Sequence, residues 1–215
     1  MKNLRIWFKK EDTAKFISHL DMCRLMERAI HKARLPFWYT EGFNPHVFLT
    51  INMPISLGYT GLKESMDVKL EDDNFPLEKI ILGLNAGLPK DVRIFKVTEF
   101  KQKPGAIGFS EYKITIEKQD GLGDCLQELL KKDALIVSKK TKKGMKEIDI
   151  KDDFKDMKIT ENEKVFIFSL ILKSTNLGSI NPRLFFDLLE EKFGKRLYPQ
   201  TARINLFDKD MKEFR

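Results

Sequence analysis

Two histidines, His19 and His46, are the residues of this sequence best suited to acid–base chemistry. They are two of only three histidines in 215 residues, and an imidazole changes its charge near neutral pH. A pair of imidazoles can cleave RNA by general acid–base catalysis, so both are candidate catalytic residues. They could equally bind a metal with Asp21 or Cys23, but they lack a fixed metal-ligand spacing. Hydrogen bonding within a loop remains open, and we expect no bound metal or cofactor.

A basic helix over residues 18–34 separates the two histidines. Ser18 followed by Asp21 is a capping pattern, because the Ser18 side chain can accept a hydrogen bond from the Asp21 amide. Pro36 ends the helix. Apolar residues recur at core spacing on one face, and cations occupy another: Arg24, Arg28 and Lys32. These cations are either a solvated face or contacts for phosphates.

An aromatic-rich loop follows the helix, with five aromatic residues between positions 37 and 48. Gly42 and the Asn44-Pro45 pair favour a tight turn, because glycine and asparagine tolerate unusual dihedrals and proline fixes one. Tyr39 and Phe43 could stack on unpaired bases, each contributing about 1–3 kcal/mol. Packing in the core is the alternative for any one of these rings.

A cluster of lysines marks a predicted hairpin turn in the second half of the chain. Such a density of like charge repels itself and is favoured near a polyanion, although it could also protect a strand edge. With the net charge of +7, it favours RNA as a partner. The lysines are Lys139, Lys140, Lys142, Lys143 and Lys146.

Cysteine content and hydropathy exclude several classes of protein. Cys23 and Cys125 are the only cysteines and form no CxxC pair, which excludes a disulfide framework or zinc ribbon. No apolar run reaches the length of a membrane span, and no secretory leader pattern is present. We therefore expect a cytoplasmic protein without membrane contact.

The order of predicted elements repeats along the chain. Residues 1–100 predict β-α-β-β-α-β, the ferredoxin-like order. Residues 101–109 carry the proline, glycine and charge of a linker. Residues 110–215 predict the same order with one additional strand. We therefore predict an α+β protein with two tandem ferredoxin-like (βαββαβ) domains.

The segment KFISHLD, a helix, then LP and GFNPH resembles a bacterial family linked to radical-SAM proteins, a domain of unknown function. Ser18, His19, Asp21, Gly42, Asn44, Pro45 and His46 are the positions where that motif and the chemical interpretation coincide. The resemblance spans essentially the whole chain. The segments that carry it are 15–21, 35–36, 42–46, 54–58, 66–68, 139–150 and 174–189.

The resemblance implies an accessory protein in RNA modification or ribosome-associated RNA metabolism that acts with a radical-SAM partner. The chain has no CxxxCxxC, so any iron–sulfur cluster would belong to the partner. The family provides no catalytic residues to carry over, so the sequence does not specify an enzyme. A weaker architectural similarity to CRISPR repeat-processing enzymes gives a metal-independent endoribonuclease as one alternative. A protein-interaction module without RNA contact is another.

Overall fold

The computed structural model describes residues 1–141 and 144–215, without the side chains of residues 139–141. The chain divides into two compact units, which are residues 1–107 with 202–215 and residues 108–201. The last fourteen residues therefore group with the first unit, although the sequence analysis places 110–215 together. The predicted domain boundaries stay a prediction.

Helices are interspersed among the strands along the chain. The strands are β1 (Lys2–Lys10), β2 (Leu49–Asn52), β3 (Thr60–Leu70), β4 (Val92–Glu99), β5 (Ile107–Glu117), β6 (Ile136–Thr141), β7 (Gly144–Asp149), β8 (Lys158–Glu161), β9 (Val165–Thr175), β10 (Gly178–Ser179) and β11 (Gln200–Asp208). The helices are α1 (His19–Ala33), α2 (Leu77–Gly87), α3 (Leu122–Leu130), α4 (Lys151–Phe154) and α5 (Arg183–Phe193).

The first unit is built on a mixed sheet centred on β1 and β3. These two strands pair antiparallel, and β4 pairs antiparallel with the other edge of β1. The free edge of β3 takes two partners, β2 along residues 65–68 and β11 along residues 60–61. The β11 pairing is parallel and joins the C-terminal segment to a strand that lies far away in the sequence.

The main core of the first unit lies between the sheet and α1 and α2. Alternate residues of β1 point to this side, where they meet the apolar face of α1. Alternation follows from the two-residue period of a strand. The buried residues of α1 recur at the core spacing that the sequence predicts for one face of this helix. They are Met22, Met26, Ala29 and Ile30.

The opposite face of the same sheet carries a second, smaller core. Trp7 packs there with Ile107, Leu206 and Phe214. Arg5 shares this face; it is fully buried and forms a bidentate pair with Asp67, with N–O distances of 2.7 and 2.8 Å.

The second unit places β5 and β9 side by side as a long antiparallel pair. β8 and β10 both add to β9, and β6 and β7 form a separate hairpin. Phenylalanines of α4 and α5 pack against one another. Phe185 stacks on Phe154 at a centroid distance of 5.3 Å and packs against Phe186 at 5.4 Å. Gly194 ends α5 with φ of 73°, a dihedral that glycine adopts at little cost.

The α+β class is confirmed, and most predicted elements form within a few residues of their expected bounds. α4, β8 and β10 were not predicted, because each has only two to four residues and a hydrophobic period cannot develop over so short a length. The tandem ferredoxin-like arrangement stays a prediction.

Candidate nucleic-acid interface

The first turn of α1 is capped as its sequence predicts. Ser18 is the N-cap, and its Oγ accepts a hydrogen bond from the Asp21 amide at 3.2 Å. The Asp21 carboxylate does not reach the Ser18 backbone; instead it accepts a hydrogen bond from the Ser18 hydroxyl at 2.7 Å. This hydrogen bond is the largest cause of a lowered pKa of Asp21, and a hydrogen bond from Arg24 is the next largest. Both motif residues are therefore occupied in holding the helix end.

The three predicted cations of α1 lie on its solvent-exposed face. Arg24 pairs with Asp21 at 3.0 Å, so its charge is compensated locally. Arg28 and Lys32 are four residues apart and therefore neighbours on the helix surface. Within the described part of the chain, neither has an ion pair. The free positive charge of this helix is thus concentrated in its last two turns.

The aromatic loop forms a hairpin that is attached to this same part of α1. Tyr39 pairs with Val47 across the hairpin. The Tyr39 hydroxyl lies 3.1 Å from Nδ1 of His31, and the two ring centroids are 5.3 Å apart. His31 lies between Arg28 and Lys32 in the sequence. The hairpin and the cations therefore belong to one surface of the first unit.

The turn of this hairpin exposes its aromatic tip. Phe43 is completely exposed, with a relative exposure of 106%. Gly42, with φ of 125°, permits the turn, because that dihedral is costly for a residue with a Cβ. Nδ1 of His46 lies 3.0 Å from Oγ1 of Thr40 and 3.2 Å from the carbonyl oxygen of Asn44, which fixes the loop. Asn44 and Pro45 are exposed in the same turn.

His19 occupies a different environment at the start of α1. It lines a small cavity of about 20 Å³ together with Lys10 and Glu64. A cavity of this size holds about one water molecule. Lys10 is buried and donates a hydrogen bond to the carbonyl oxygen of Ile17 at 2.7 Å. Burial lowers the pKa of Lys10, and the nearby Glu64 carboxylate partly offsets that effect.

His19 and His46 lie near opposite ends of α1 and do not meet. His46 belongs to the hairpin that contacts His31, and His31 is twelve residues after His19. Twelve residues of helix span about 18 Å. The motif positions thus form two groups, one at the N-terminus of α1 and one in the hairpin turn.

The lysine cluster of the second unit is described only in part. The hairpin of β6 and β7 forms as predicted, with Gly144 at φ of 119°. Lys146 lies on β7 and is exposed. The predicted RNA contacts of Lys142 and Lys143, and those of the side chains of Lys139 and Lys140, lie outside the described residues.

Two groups of residues that could take part in binding or catalysis were not predicted from the sequence. Glu64 and Arg203 form a buried ion pair, and no local pattern connects residues so far apart. Lys96 and Phe95 lie at an irregularity of β4, where Trp7 pairs with Lys96 but Phe8 pairs with Ile94. The sequence signal for this bulge is the break in apolar alternation at Lys96, two residues after Ile94.

Among the described residues, no group of three or more histidine, cysteine, aspartate or glutamate side chains is arranged to hold a metal ion. The same described part contains no helix that is both long and apolar enough to cross a membrane.

A protein-family model matches residues 3–182 and is described as "Uncharacterized protein conserved in bacteria (DUF2344)". The chain belongs to this family. The match includes both motif groups, at the start of α1 and in the hairpin turn. It confirms a bacterial domain of unknown function, and the link to radical-SAM proteins stays a prediction.

No curated protein matches this chain. Among solved structures, an unknown protein from Galdieria sulphuraria is 11% identical with a TM-score of 0.28, covering 94% of this chain and 98% of that one. A putative glycine cleavage system transcriptional repressor is 10% identical with a TM-score of 0.25 and the same coverage. Likenesses this low support no statement about fold or function.

Proposed function

We propose that this protein is an RNA-binding accessory protein in RNA modification or ribosome-associated RNA metabolism. The observation that carries the proposal is the contact between His31 and Tyr39, with Nδ1 and the hydroxyl 3.1 Å apart. This contact attaches the aromatic hairpin to the helical turns that carry Arg28 and Lys32. Cations for phosphates and a ring for a base therefore lie on one surface.

The charges of this surface suit a nucleotide backbone. Arg28 and Lys32 have no ion pair within the described part of the chain, so a phosphate would not have to displace an internal carboxylate. Each phosphate contact releases condensed counterions, which makes RNA affinity depend on salt. Glu27 is the acid nearest in sequence, and it is only half-exposed.

The ring of Phe43 supplies the other half of the proposed contact. A completely exposed phenylalanine has no role in the core of its own chain, and bases stack on such rings irrespective of sequence. We therefore expect single-stranded RNA to bind with its backbone along α1 and one base on Phe43.

The experiment is a salt titration of binding to a labelled single-stranded RNA, followed by fluorescence anisotropy. The slope of log K against log salt is negative, and its magnitude should be smaller by about 1.4 in R28Q/K32Q. Each lost phosphate contact contributes about 0.7 to this magnitude for a single strand. The control is K79Q/K90Q, which removes two charges from exposed lysines elsewhere in the first unit. A wild-type slope near zero, or equal effects of the two double variants, contradicts the proposal.

The base contact is tested separately with F43A. Loss of a stacked base should cost about 1–3 kcal/mol of binding free energy, with no change in the salt slope. F16A is the matched control, because Phe16 is also exposed, at 65%. If F43A binds RNA like the wild type while R28Q/K32Q is defective, the hairpin does not contact a base. An F43A protein that binds RNA normally but loses a protein partner would favour the interaction-module alternative.

We also propose a cytoplasmic location, a tandem ferredoxin-like arrangement and a radical-SAM partner. A cytoplasmic location fits the two free cysteines. The strand order β4-β1-β3-β2 of the first unit, with one helix after β1 and one after β3, supports a ferredoxin-like domain. A radical-SAM partner is tested by co-purification under anaerobic conditions, in which the partner should carry an iron–sulfur absorbance that this chain lacks. A partner without a cluster contradicts this point.

A further inference from the structure

A cleft of about 440 Å³ lies in the first unit on the face of the sheet opposite α1. Trp7 lines it, whereas the neighbouring Phe8 points to the main core on the α1 side. This size is within the range of small-ligand sites in proteins. The cleft is separate from the surface formed by α1 and the hairpin, and no step of the RNA proposal uses it.

The bulge in β4 gives the cleft an exposed ring. Phe95 has no partner opposite it on β1, because Trp7 pairs with Lys96 and Phe8 with Ile94. An inserted residue of this kind redirects side chains at a strand edge. Both Phe95 and Lys96 consequently face solvent, and the Phe95 ring is 42% exposed. Without the bulge, successive side chains of this edge strand would point alternately to the core and to solvent.

The floor of the cleft is rigid and aromatic. Phe214 is buried and packs edge-on against Trp7, with a centroid distance of 6.4 Å. The Arg5 guanidinium lies 4.0 Å from the centre of the Phe214 ring and so holds it in place. The Trp7 indole donates a hydrogen bond to Oγ1 of Thr98 at 3.2 Å. A planar group that enters the cleft would meet rings whose positions are already fixed.

The charges that line the cleft leave a positive excess. The side-chain carboxylates that line it both form ion pairs. Glu99 pairs with Lys2 at 3.7 Å, and Glu213 pairs with Lys63 and, at 3.9 Å, with Arg215. Two other lining residues are Lys96 and Lys101. Within the part of the chain that the structure describes, neither of these ammonium groups has an ion pair. An anion can therefore bind them without breaking an internal contact.

We propose that this cleft binds a nucleoside monophosphate, with the base stacked on the exposed ring of Phe95, near the buried Trp7, and the phosphate on Lys96 and Lys101. Aromatic rings stack on any base, and paired cations recognise a phosphate. The same chemistry is offered by a free nucleotide and by the phosphorylated 5′ end of an RNA.

The test uses Trp7 as a reporter. The chain has two tryptophans, so W38F leaves Trp7 as the only one. AMP should quench its fluorescence saturably, and equilibrium dialysis of the wild type should give the same affinity. In K96Q/K101Q the affinity should fall about tenfold or more, equivalent to about 1.4 kcal/mol. K79Q/K90Q is the charge-matched control and should bind AMP normally. F95A should weaken AMP binding and leave the weaker binding of inorganic phosphate unchanged.

Two results would overturn the assignment. One is the absence of binding in both assays at about 1 mM AMP, the weak end of specific affinities. The other is an equal loss in K96Q/K101Q and K79Q/K90Q, which would indicate only general charge attraction. Titration with a 5′-phosphorylated trinucleotide identifies the source of the ligand. Tighter binding than AMP assigns the cleft to an RNA end, and equal or weaker binding assigns it to the free nucleotide. The R28Q/K32Q variant should bind AMP like the wild type, so failure of the RNA proposal leaves this result intact.

Discussion

Glu64 and Arg203 form an ion pair in the first unit although 139 residues separate them in the chain. Both side chains are almost completely buried, with exposures of 2% and 3%. The Arg203 guanidinium also donates a hydrogen bond to the carbonyl oxygen of Met53 at 2.6 Å. This pair joins β3 to β11 beyond their two backbone pairings.

Substitution of Glu64 by glutamine should destabilise the protein strongly. It leaves the Arg203 charge buried without its carboxylate, which typically costs about 3–5 kcal/mol. Urea unfolding measures the change in the free energy of unfolding. Glu99→Gln is the control, because that carboxylate is 67% exposed and pairs with Lys2 at 3.7 Å; it should cost about 0–1 kcal/mol. Equal costs for the two variants would show that burial of the pair is unimportant.

Lys10 should make stability increase with pH in alkaline solution. Burial lowers its pKa below the usual 10.5, while Glu64 raises it and Arg203 lowers it. Between the folded-state pKa and 10.5 the unfolded chain binds more protons, so the free energy of unfolding rises with pH there. The measurement is urea unfolding from neutral pH to pH 10.5 for the wild type and Lys10→Met. The wild type should gain stability relative to the variant across this window, and parallel curves would contradict the prediction.

Ser18→Ala should remove the cap of α1. Loss of a serine N-cap costs about 0.5–2 kcal/mol, measurable by thermal unfolding. Ser18→Asn retains a capping oxygen and should stay near the wild type. The Ser18 hydroxyl is the largest cause of the lowered pKa of Asp21, so this pKa should rise in Ser18→Ala when followed by NMR.

The acid side of the stability profile should change accordingly. A lowered folded-state pKa gives stability that is present above the usual value of 3.8 and lost as pH falls through the folded-state pKa. In Ser18→Ala this acid-dependent loss should be smaller than in the wild type. An unchanged acid profile would mean that Asp21 is held by Arg24 alone.

Tyr39→Phe should loosen the hairpin without unfolding the unit. The substitution removes the hydroxyl that lies 3.1 Å from Nδ1 of His31 and keeps the ring. A hydrogen bond of this type contributes about 0.5–1.5 kcal/mol. Amide hydrogen exchange should quicken at Thr40 and His46, whose backbones are joined by a 2.8 Å hydrogen bond. Exchange in β1 is the internal control and should not change. Unaltered exchange in the hairpin would show that the His31 contact does not hold it.

Local features of this fold could be predicted from the sequence. The Ser18 cap, the buried face of α1 and the Gly194 stop each depend on residues within a few positions of one another, where capping and periodicity act. The cations of α1 were correctly placed on its exposed face for the same reason. The predicted contacts with RNA remain predictions.

The features that escaped prediction depend on partners distant in the chain. Glu64 is a charged residue in a fully buried part of β3, and its ion pair with Arg203 helps to make that burial tolerable. The insertion of Phe95 depends on the register of β4 against β1. The sequence shows a break in alternation at Lys96 but not how β4 pairs with β1, so the cleft that Phe95 lines was missed as well.

Because residues 202–215 belong to the first unit, this unit cannot fold completely during the early part of translation. While the chain is being made, Glu64 emerges long before Arg203. At typical elongation rates of about 5–20 residues per second, the delay is on the order of ten seconds. During this interval residues 60–61 of β3 lack their β11 partner, and the Glu64 carboxylate lacks Arg203. The first unit therefore cannot complete its fold until residues 202–215 have been translated.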